Sequence, residues 1–284
     1  MSNPTSRCSE IPTSENPIEG APQFSLVMPA YNEALRIGEA LEKYCSAWDE
    51  ELSRRGITYE IIVVANGCTD DTSRVVGSLM SNPAVGGEIR LLRLGEGNKG
   101  LAVLAGFQVA HGTTVGFTDA DGSVDPQVML TIMRRAQETG LVAVGSKYHP
   151  DAHASRTQRK YRLIASRVWN LLVRFVLGLH VRDTQAGAKA MPIECARTIL
   201  DHVLPCNFAF DVSLLFEAAH AGYEIVEIPL EWEHMNDSTF SVLREAPRMF
   251  KALLQIRLAS YGRWHTSERI RQAIEASAPI HEHR

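Results

Sequence analysis

Several features that would define a protein class are missing from this chain of 284 residues. Its five cysteines are odd in number and include no C-x-x-C pair, which disfavours a disulfide framework or a zinc site and favours reduced thiols in the cytosol. No uninterrupted apolar run reaches the length of about 18 residues that predicts a transmembrane helix. The 29 basic residues do not outnumber the 33 acidic ones, and a net charge of −4 argues against a nucleic-acid partner.

The two ends of the chain also lack the patterns of a folded core. Residues 1–21 are rich in Ser, Pro, Thr, Asn and Glu and have no basic and apolar signal segment, so they are predicted to be a disordered leader. Residues 263–284 are polar and are predicted to be a flexible tail. Residues 22–262 are predicted to form a single domain, since 45% hydrophobic and 22% charged residues are typical of globular proteins.

Strand and helix patterns alternate along the first half of that domain, residues 22–146. Short connections between them predict an α/β fold with an open, mostly parallel, Rossmann-like sheet flanked by helices. Tyr59–Val64 is almost continuously apolar, as expected for a strand covered on both faces. The second half, residues 147–262, mixes long helices with short strands, and Pro229 indicates that the last strand lies at an edge.

Two carboxylates follow the fourth predicted strand. Asp119 and Asp121 come directly after the apolar run Val115–Thr118, where the strand reaches the open carboxyl end of the sheet. With no Cys or His nearby, the pair suits a hard cation such as Mg²⁺ or Mn²⁺. Aspartates that merely stabilise a turn would give the same pattern, and this motif alone does not separate the two interpretations.

The surrounding motifs favour the functional interpretation. Pro29-Ala-Tyr-Asn-Glu33 after the first strand, Asn66–Thr72 after the second and Asp119-Ala-Asp121 after the fourth together resemble the family-two glycosyltransferases of the GT-A fold. The resemblance implies a GT-A fold with a nucleotide-sugar half at residues 22–146 and an acceptor half at residues 147–262.

The second half resembles one branch of that family. Asp183-Thr-Gln-Ala-Gly-Ala-Lys189, Phe210-Asp211 and Gly222–Trp232 look like the dolichyl- or polyprenyl-phosphate hexosyltransferases, and the Asp-Thr-Gln form is closer to the glucosyl than to the mannosyl branch. Ser213 departs from this pattern, because the family commonly has Glu there. Residues 236–241 also lack the usual Gly-Ser-Lys form.

The resemblance implies a donor site at the carboxyl end of the sheet. Its expected donor-binding residues are Pro29, Ala30, Tyr31, Glu33, Asn66, Lys99, Asp119, Ala120 and Asp121. Asp119 and Asp121 would bind Mg²⁺ or Mn²⁺, which would carry charge on the departing nucleoside diphosphate. Lys99 would neutralise the diphosphate at a helix start that favours anions. Asn66 stands where the family usually has Asp, and it keeps an acceptor oxygen but loses the charge and adds donors.

On the acceptor side the expected chemistry depends on the acceptor. A hydroxyl acceptor needs a general base, and the candidates for that base are Asp183 and Asp211. Asp121 is expected to be a further catalytic residue. A lipid phosphate is already an anion and needs positive charge instead. The expected acceptor-binding residues are Arg156, Arg159, Gln185 and Lys189. The basic segment that begins at Arg156 continues as an apolar helix, either an interfacial membrane helix or a core helix with a solvated basic end.

The resemblance implies an inverting, metal-dependent transfer of a hexose, glucose or mannose, from UDP-glucose or GDP-mannose to a polyprenyl or dolichyl phosphate. The expected location is the cytoplasm, with peripheral association at the cytoplasmic membrane face or with a membrane partner. Two alternatives stay open: a glycosyltransferase with a soluble hydroxyl acceptor, and a nucleotide-sugar-binding protein without turnover. A dinucleotide-dependent dehydrogenase is disfavoured, because no G-x-G-x-x-G follows the first strand.

Overall fold

The computed structural model describes six stretches of the chain, residues 21–80, 87–152, 160–204, 209–230, 242–259 and 266–276. The elements in these stretches are, in order, β1 Phe24–Ala30, α1 Ile37–Ser53, β2 Tyr59–Asn66, α2 Thr72–Met80, β3 Glu88–Leu94, α3 Lys99–Val109, β4 Thr114–Thr118, α4 Pro126–Thr139, β5 Val142–Ser146, α5 Lys160–Leu177, β6 Ala188–Pro192, α6 Ile193–Ile199, α7 Phe210–His220, β7 Ile225–Pro229, α8 Val242–Ala259 and α9 Thr266–Glu275.

The strands form one seven-stranded sheet in the order β3-β2-β1-β4-β6-β5-β7. Neighbouring strands are parallel except at β6, which runs antiparallel to both β4 and β5. The predicted open, mostly parallel sheet with a mixed second half is therefore confirmed, and β7 is the expected edge strand. Because β6 lies between two strands of the first half, the chain does not divide structurally at residue 146.

The core lies on both faces of the first strands. Every residue of β2 is buried, as its continuous apolar run predicts. On one face, α1 and α4 are joined by two buried hydrogen bonds to the α4 start: the Tyr44 hydroxyl donates to the Val124 carbonyl and the Trp48 indole donates to the Pro126 carbonyl. Leu35 lies in the turn before α1 and is 98% exposed.

The C-terminal prediction needs a correction. Residues 266–276, expected to be loose, contain helix α9, which packs against α3 and β3. Ile270 is fully buried, the Thr266 hydroxyl donates to the Val203 carbonyl, and the backbone N–H of Ser267 donates to Asp201. The predicted leader at residues 1–21 lies, except for residue 21, outside the described residues.

Helices α5 and α8 pack against each other on the acceptor side of the domain. The long helix predicted to follow Arg156 is described from Lys160 to Leu177. Arg156 and Arg159 themselves lie outside the described residues, so their expected role in acceptor binding stays a prediction. Among the helices described, none combines the length and apolar content needed to span a bilayer.

Candidate active site

A cavity of about 590 Å³ opens at the carboxyl ends of β1, β2 and β4. In parallel sheets this edge is where ligands bind. The residues that line it are Pro29, Tyr31, Glu33, Asn66, Gly97, Lys99, Asp119, Ala120, Asp121, Gln185 and Asp211. The expected donor residues are thus brought together, with one correction. Ala30 is fully buried and does not line the cavity, and its carbonyl oxygen accepts a hydrogen bond from Asn66.

The acidic side of the cavity is built from the turn after β4. The backbone N–H of Asp119 donates to the Gly187 carbonyl, and an Asp121 carboxylate oxygen accepts from the backbone N–H of Ser123 at 3.0 Å. A Cβ placed on Gly187 would lie 2.0 Å from Asp119 Oδ2, so this glycine leaves the space that the carboxylate occupies. Two carboxylates at one cavity fit Mg²⁺ or Mn²⁺, which take their remaining ligands from water and substrate phosphate.

Glu33 adds a third carboxylate to this side. Burial raises its pKa, the nearby Arg36 guanidinium opposes the rise, and the carboxylates of Asp121 and Asp119 add to it. The Arg36 guanidinium donates two hydrogen bonds to Glu33, at 2.7 and 2.9 Å. The cavity wall is therefore strongly acidic, a setting in which a cation is favoured.

Lys99 supplies positive charge beside these carboxylates. It is the first residue of α3, whose start is capped by Asn98, and its Nζ lies 2.6 Å from Asp119 Oδ1 and 4.0 Å from Asp211 Oδ2. Burial opposes the charge of the ammonium, but the two carboxylates outweigh burial and raise the pKa of Lys99. A cation at a helix N-terminus, where backbone N–H groups also point outward, suits a phosphate group.

Lys189 has a different place from the one predicted. Its side chain is fully buried, so an acceptor cannot contact it directly, and that prediction is wrong. Its Nζ donates to Asp211 Oδ1 at 2.5 Å and to the Ala186 carbonyl at 2.6 Å. Burial lowers the pKa of Lys189 while the Asp211 carboxylate opposes that change. Lys189 therefore orients Asp211, which does line the cavity.

Of the two candidate bases, Asp211 lines the cavity and Asp183 does not. Asp183 is 2% exposed, accepts a hydrogen bond from the backbone N–H of Lys147 at 3.1 Å and does not line the cavity. Its own N–H donates to the Glu227 carboxylate. Asp183 thus stabilises the chain between β5 and β6, and its predicted catalytic position is corrected. Asp211 remains as the carboxylate that can contact a ligand, with Gln185 beside it in the wall.

A family model provides the deciding comparison. Residues 25–200, more than half of the chain, match the model described as glycosyl transferase family 2. The chain belongs to this family.

Curated relatives agree with this membership. The glycosyltransferase is 31% identical over 226 residues to a dolichyl-phosphate beta-glucosyltransferase of Drosophila melanogaster, covering 76% of this chain and 68% of the relative. It is 28% identical over 255 residues to the Homo sapiens protein of that name, covering 87% and 78%. Glycosyltransferase AglD of Haloferax volcanii is 29% identical over 238 residues, 82% of this chain but 36% of AglD, so the chain spans about a third of that relative.

The fold of the glycosyltransferase is that of glucosyl-3-phosphoglycerate synthase from M. tuberculosis. The crystal structure of that enzyme superposes with a TM-score of 0.58 at 20% identity, covering 84% of this chain and 81% of the other. The same enzyme in complex with Mn²⁺, uridine diphosphate and phosphoglyceric acid gives a TM-score of 0.56 at 21% identity, with 85% and 78% covered. The GT-A expectation for the fold is confirmed.

The structure explains two departures of this glycosyltransferase from its family pattern. Asn66 donates from Nδ2 to the carbonyls of Ala30 and Val64, two bonds that an aspartate could not donate. Ser213 is buried on α7 and accepts a hydrogen bond from the backbone N–H of Leu204, away from the cavity.

Two residues of the site were not anticipated from the sequence. Phe117 is fully buried beneath both lysines, its ring centroid 5.6 Å from Lys99 Nζ and 5.2 Å from Lys189 Nζ. Gly187 provides the space for Asp119. A signal for Phe117 existed, because residues two apart on a strand share a face and Phe117 precedes Asp119 by two.

Proposed function

We propose that this family 2 glycosyltransferase transfers glucose, with inversion, from UDP-glucose to a polyprenyl phosphate at the cytoplasmic face of a membrane. The observation that carries the proposal is a single cavity that joins the carboxylates of Asp119 and Asp121 to the ammonium of Lys99 at a helix N-terminus. The relatives named dolichyl-phosphate beta-glucosyltransferase support glucose and a lipid phosphate as the two substrates. The rival donor is GDP-mannose.

On the donor side, Asp119 and Asp121 would hold a divalent cation, Mg²⁺ or Mn²⁺. Bound there, the ion supplies positive charge to the departing diphosphate. Lys99 contributes the second positive charge from the residue where α3 begins. In the structure its ammonium pairs with Asp119. Donor binding would therefore exchange this ion pair for one between Lys99 and a phosphate oxygen. Pro29, Tyr31 and Asn66 form the part of the wall available to the nucleoside.

On the acceptor side, a phosphate monoester reaches the site already ionised, so the transfer needs no group that removes a proton from the acceptor. Asp211 fits this requirement, because it is held between two ammonium groups, Lys189 at 2.5 Å and Lys99 at 4.0 Å. Its role would be to position Lys99 and to contact the bound sugar. Gln185, beside it in the cavity wall, can donate and accept hydrogen bonds with sugar hydroxyls.

The experiment supplies the purified chain with Mn²⁺ or Mg²⁺, a short polyprenyl phosphate and radiolabelled UDP-glucose or GDP-mannose, and measures label extracted into organic solvent. The test variant is Asp121→Asn, which replaces a charged proposed metal ligand by a neutral and weaker one. The matched control is Asp125→Asn, four residues away, where the side chain caps α4 by accepting from the Gln127 N–H. Asparagine keeps that cap, so the control changes the same charge without changing the site.

The proposal requires organic-phase label from UDP-glucose with the wild type and with Asp125→Asn, and its loss with Asp121→Asn. Label from GDP-mannose alone would overturn the choice of donor. Label that stays in a water-soluble product would overturn the lipid acceptor and favour a soluble hydroxyl acceptor. Donor binding without any transfer would favour a nucleotide-sugar-binding protein without turnover.

A further inference from the structure

A second cavity, of about 650 Å³, lies away from the candidate active site. It is enclosed by the C-terminal half of α5, the segment that follows this helix and the edge strand β7, and it shares no lining residue with the first cavity. We name it the arginine cavity after three of its lining residues, Arg167, Arg174 and Arg182. No step of the proposed glucosyl transfer uses it.

The arginine cavity carries an excess of positive charge. Arg167 and Arg174 are seven residues apart on α5 and therefore share a face, and Arg182 follows the helix. Within the part of the chain that the structure describes, no carboxylate forms an ion pair with any of these three guanidinium groups. The carboxylate that lines the cavity belongs to Glu227, one of whose oxygens already accepts the backbone N–H groups of Arg182 and Asp183, at 3.0 and 3.2 Å.

An apolar stripe runs along α5 beside these arginines. Leu171, which also lines the arginine cavity, is 67% exposed, and Val168 and Phe175, three residues before and four after it, are 51% and 88% exposed. Residues at this spacing lie on one helix face. A large apolar patch on the surface of a protein marks an interaction site.

Helix α8, which packs against α5, repeats the pattern. Phe250, Leu254 and Leu258 recur every four residues and remain 44%, 42% and 75% exposed. Among the described side chains of α8, Lys251 and Arg257 are also exposed. Two neighbouring helices thus combine exposed leucine and phenylalanine with arginine and lysine, which is the composition of helices that lie in the interface of a membrane.

We infer that the arginine cavity binds the phosphate headgroup of an anionic phospholipid while the stripe of Val168, Leu171 and Phe175 enters the membrane interface. Arginine pairs with phosphate through parallel N–H···O bonds, and three guanidinium groups that have no carboxylate partner among the described residues complement that charge. The adjacent apolar stripe is what selects a membrane lipid over a free anion. The lipid held here docks the protein and is not the acceptor, because the two cavities have no residue in common.

The test is flotation of the full chain with phosphatidylcholine vesicles that contain or lack phosphatidylglycerol, without any sugar donor. Each arginine near an anionic surface contributes about a fivefold gain in binding, so Arg167→Gln/Arg174→Gln should bind the anionic vesicles roughly 25-fold more weakly. The matched control is Arg54→Gln/Arg74→Gln, which removes the same charge from exposed sites on the first half of the chain. Phe175→Ser should weaken binding to both kinds of vesicle.

Equal weakening by the test and control pairs, equal binding to both vesicles, or no vesicle binding by the wild type would overturn the inference. Calorimetry with glycerol phosphate covers the soluble alternative, since tight binding of this free anion at the same arginines would also overturn it. Circular dichroism and thermal unfolding must show that the variants are folded. Transfer to a short acceptor in solution should be retained by Arg167→Gln/Arg174→Gln, so failure of docking and failure of glucosyl transfer are separable.

Discussion

Adding one methyl group at Gly187 tests how the acidic side of the active site is built. In Gly187→Ala the new Cβ would fall 2.0 Å from Asp119 Oδ2, so the carboxylate must move. Disturbing the support of a metal ligand costs about 10- to 100-fold in metal affinity or activity. We expect the Mn²⁺ concentration needed for UDP binding, measured by titration, to rise by a factor of that size. Gly95→Ala is the control, because a Cβ there meets nothing within 4 Å. Unchanged Mn²⁺ dependence in Gly187→Ala would contradict the assignment.

Lys189 tests the buried support of the same site. Lys189→Met leaves the Asp211 carboxylate without its 2.5 Å partner, and breaking a buried pair in this way costs about 3–5 kcal/mol of unfolding free energy. Replacing both members, as in Lys189→Met/Asp211→Leu, should recover most of that stability but not activity. Urea unfolding of the single and double variants measures the effect. Losses that simply add in the double variant would show that the two side chains do not act as a pair.

The roles of Gly187 and Lys189 could not be predicted from the sequence, in contrast to those of other residues at the site. Asp119, Asp121 and Lys99 could be predicted because each follows a strand or starts a helix in a local pattern. The burial of Lys189 depends on the pairing of β6 with β4, which sets Lys189 opposite Phe117 across the strands. Such a register joins residues 72 positions apart, and no local pattern specifies it. The sequence therefore predicted that Lys189 contacts a ligand, whereas in the fold Lys189 is buried and orients Asp211.

Substitutions in helix α9 test whether this element contributes to the stability of the fold. Ile270 is fully buried where α9 packs against α3 and β3, so Ile270→Ala should cost about 2–5 kcal/mol of unfolding free energy. Gln272→Ala, at an exposed position of the same helix, should change stability by about 0.5 kcal/mol or less. Urea midpoints of the two variants give the comparison. A loose tail, as the sequence predicted, would make both substitutions neutral.

The reason that α9 escaped prediction is its composition. Among its ten residues only Ile270, Ala273 and Ile274 are apolar and face the core, and an isolated helix of this length is marginal in water. Its stability comes from docking on α3 and β3 and from the contacts of Thr266 and Ser267 with the chain after α6. By contrast, β2 was predictable because its apolar run is continuous and specifies burial without reference to any partner.

The whole molecule should respond to ligand as one unit, because β6 from the second half of the chain completes the sheet between β4 and β5. Any ligand that binds only the folded state stabilises it, by about 2.7 kcal/mol at 100 times its dissociation constant. UDP with Mn²⁺ should therefore slow hydrogen exchange in β1 and β2, which border the cavity. Under conditions in which exchange occurs through global unfolding, it should slow exchange equally in α7 and β5 on the acceptor side. Asp121→Asn should abolish the effect in both regions. Slowing confined to β1 and β2 would mean that the two halves unfold separately, which would contradict the single domain predicted for residues 22–262.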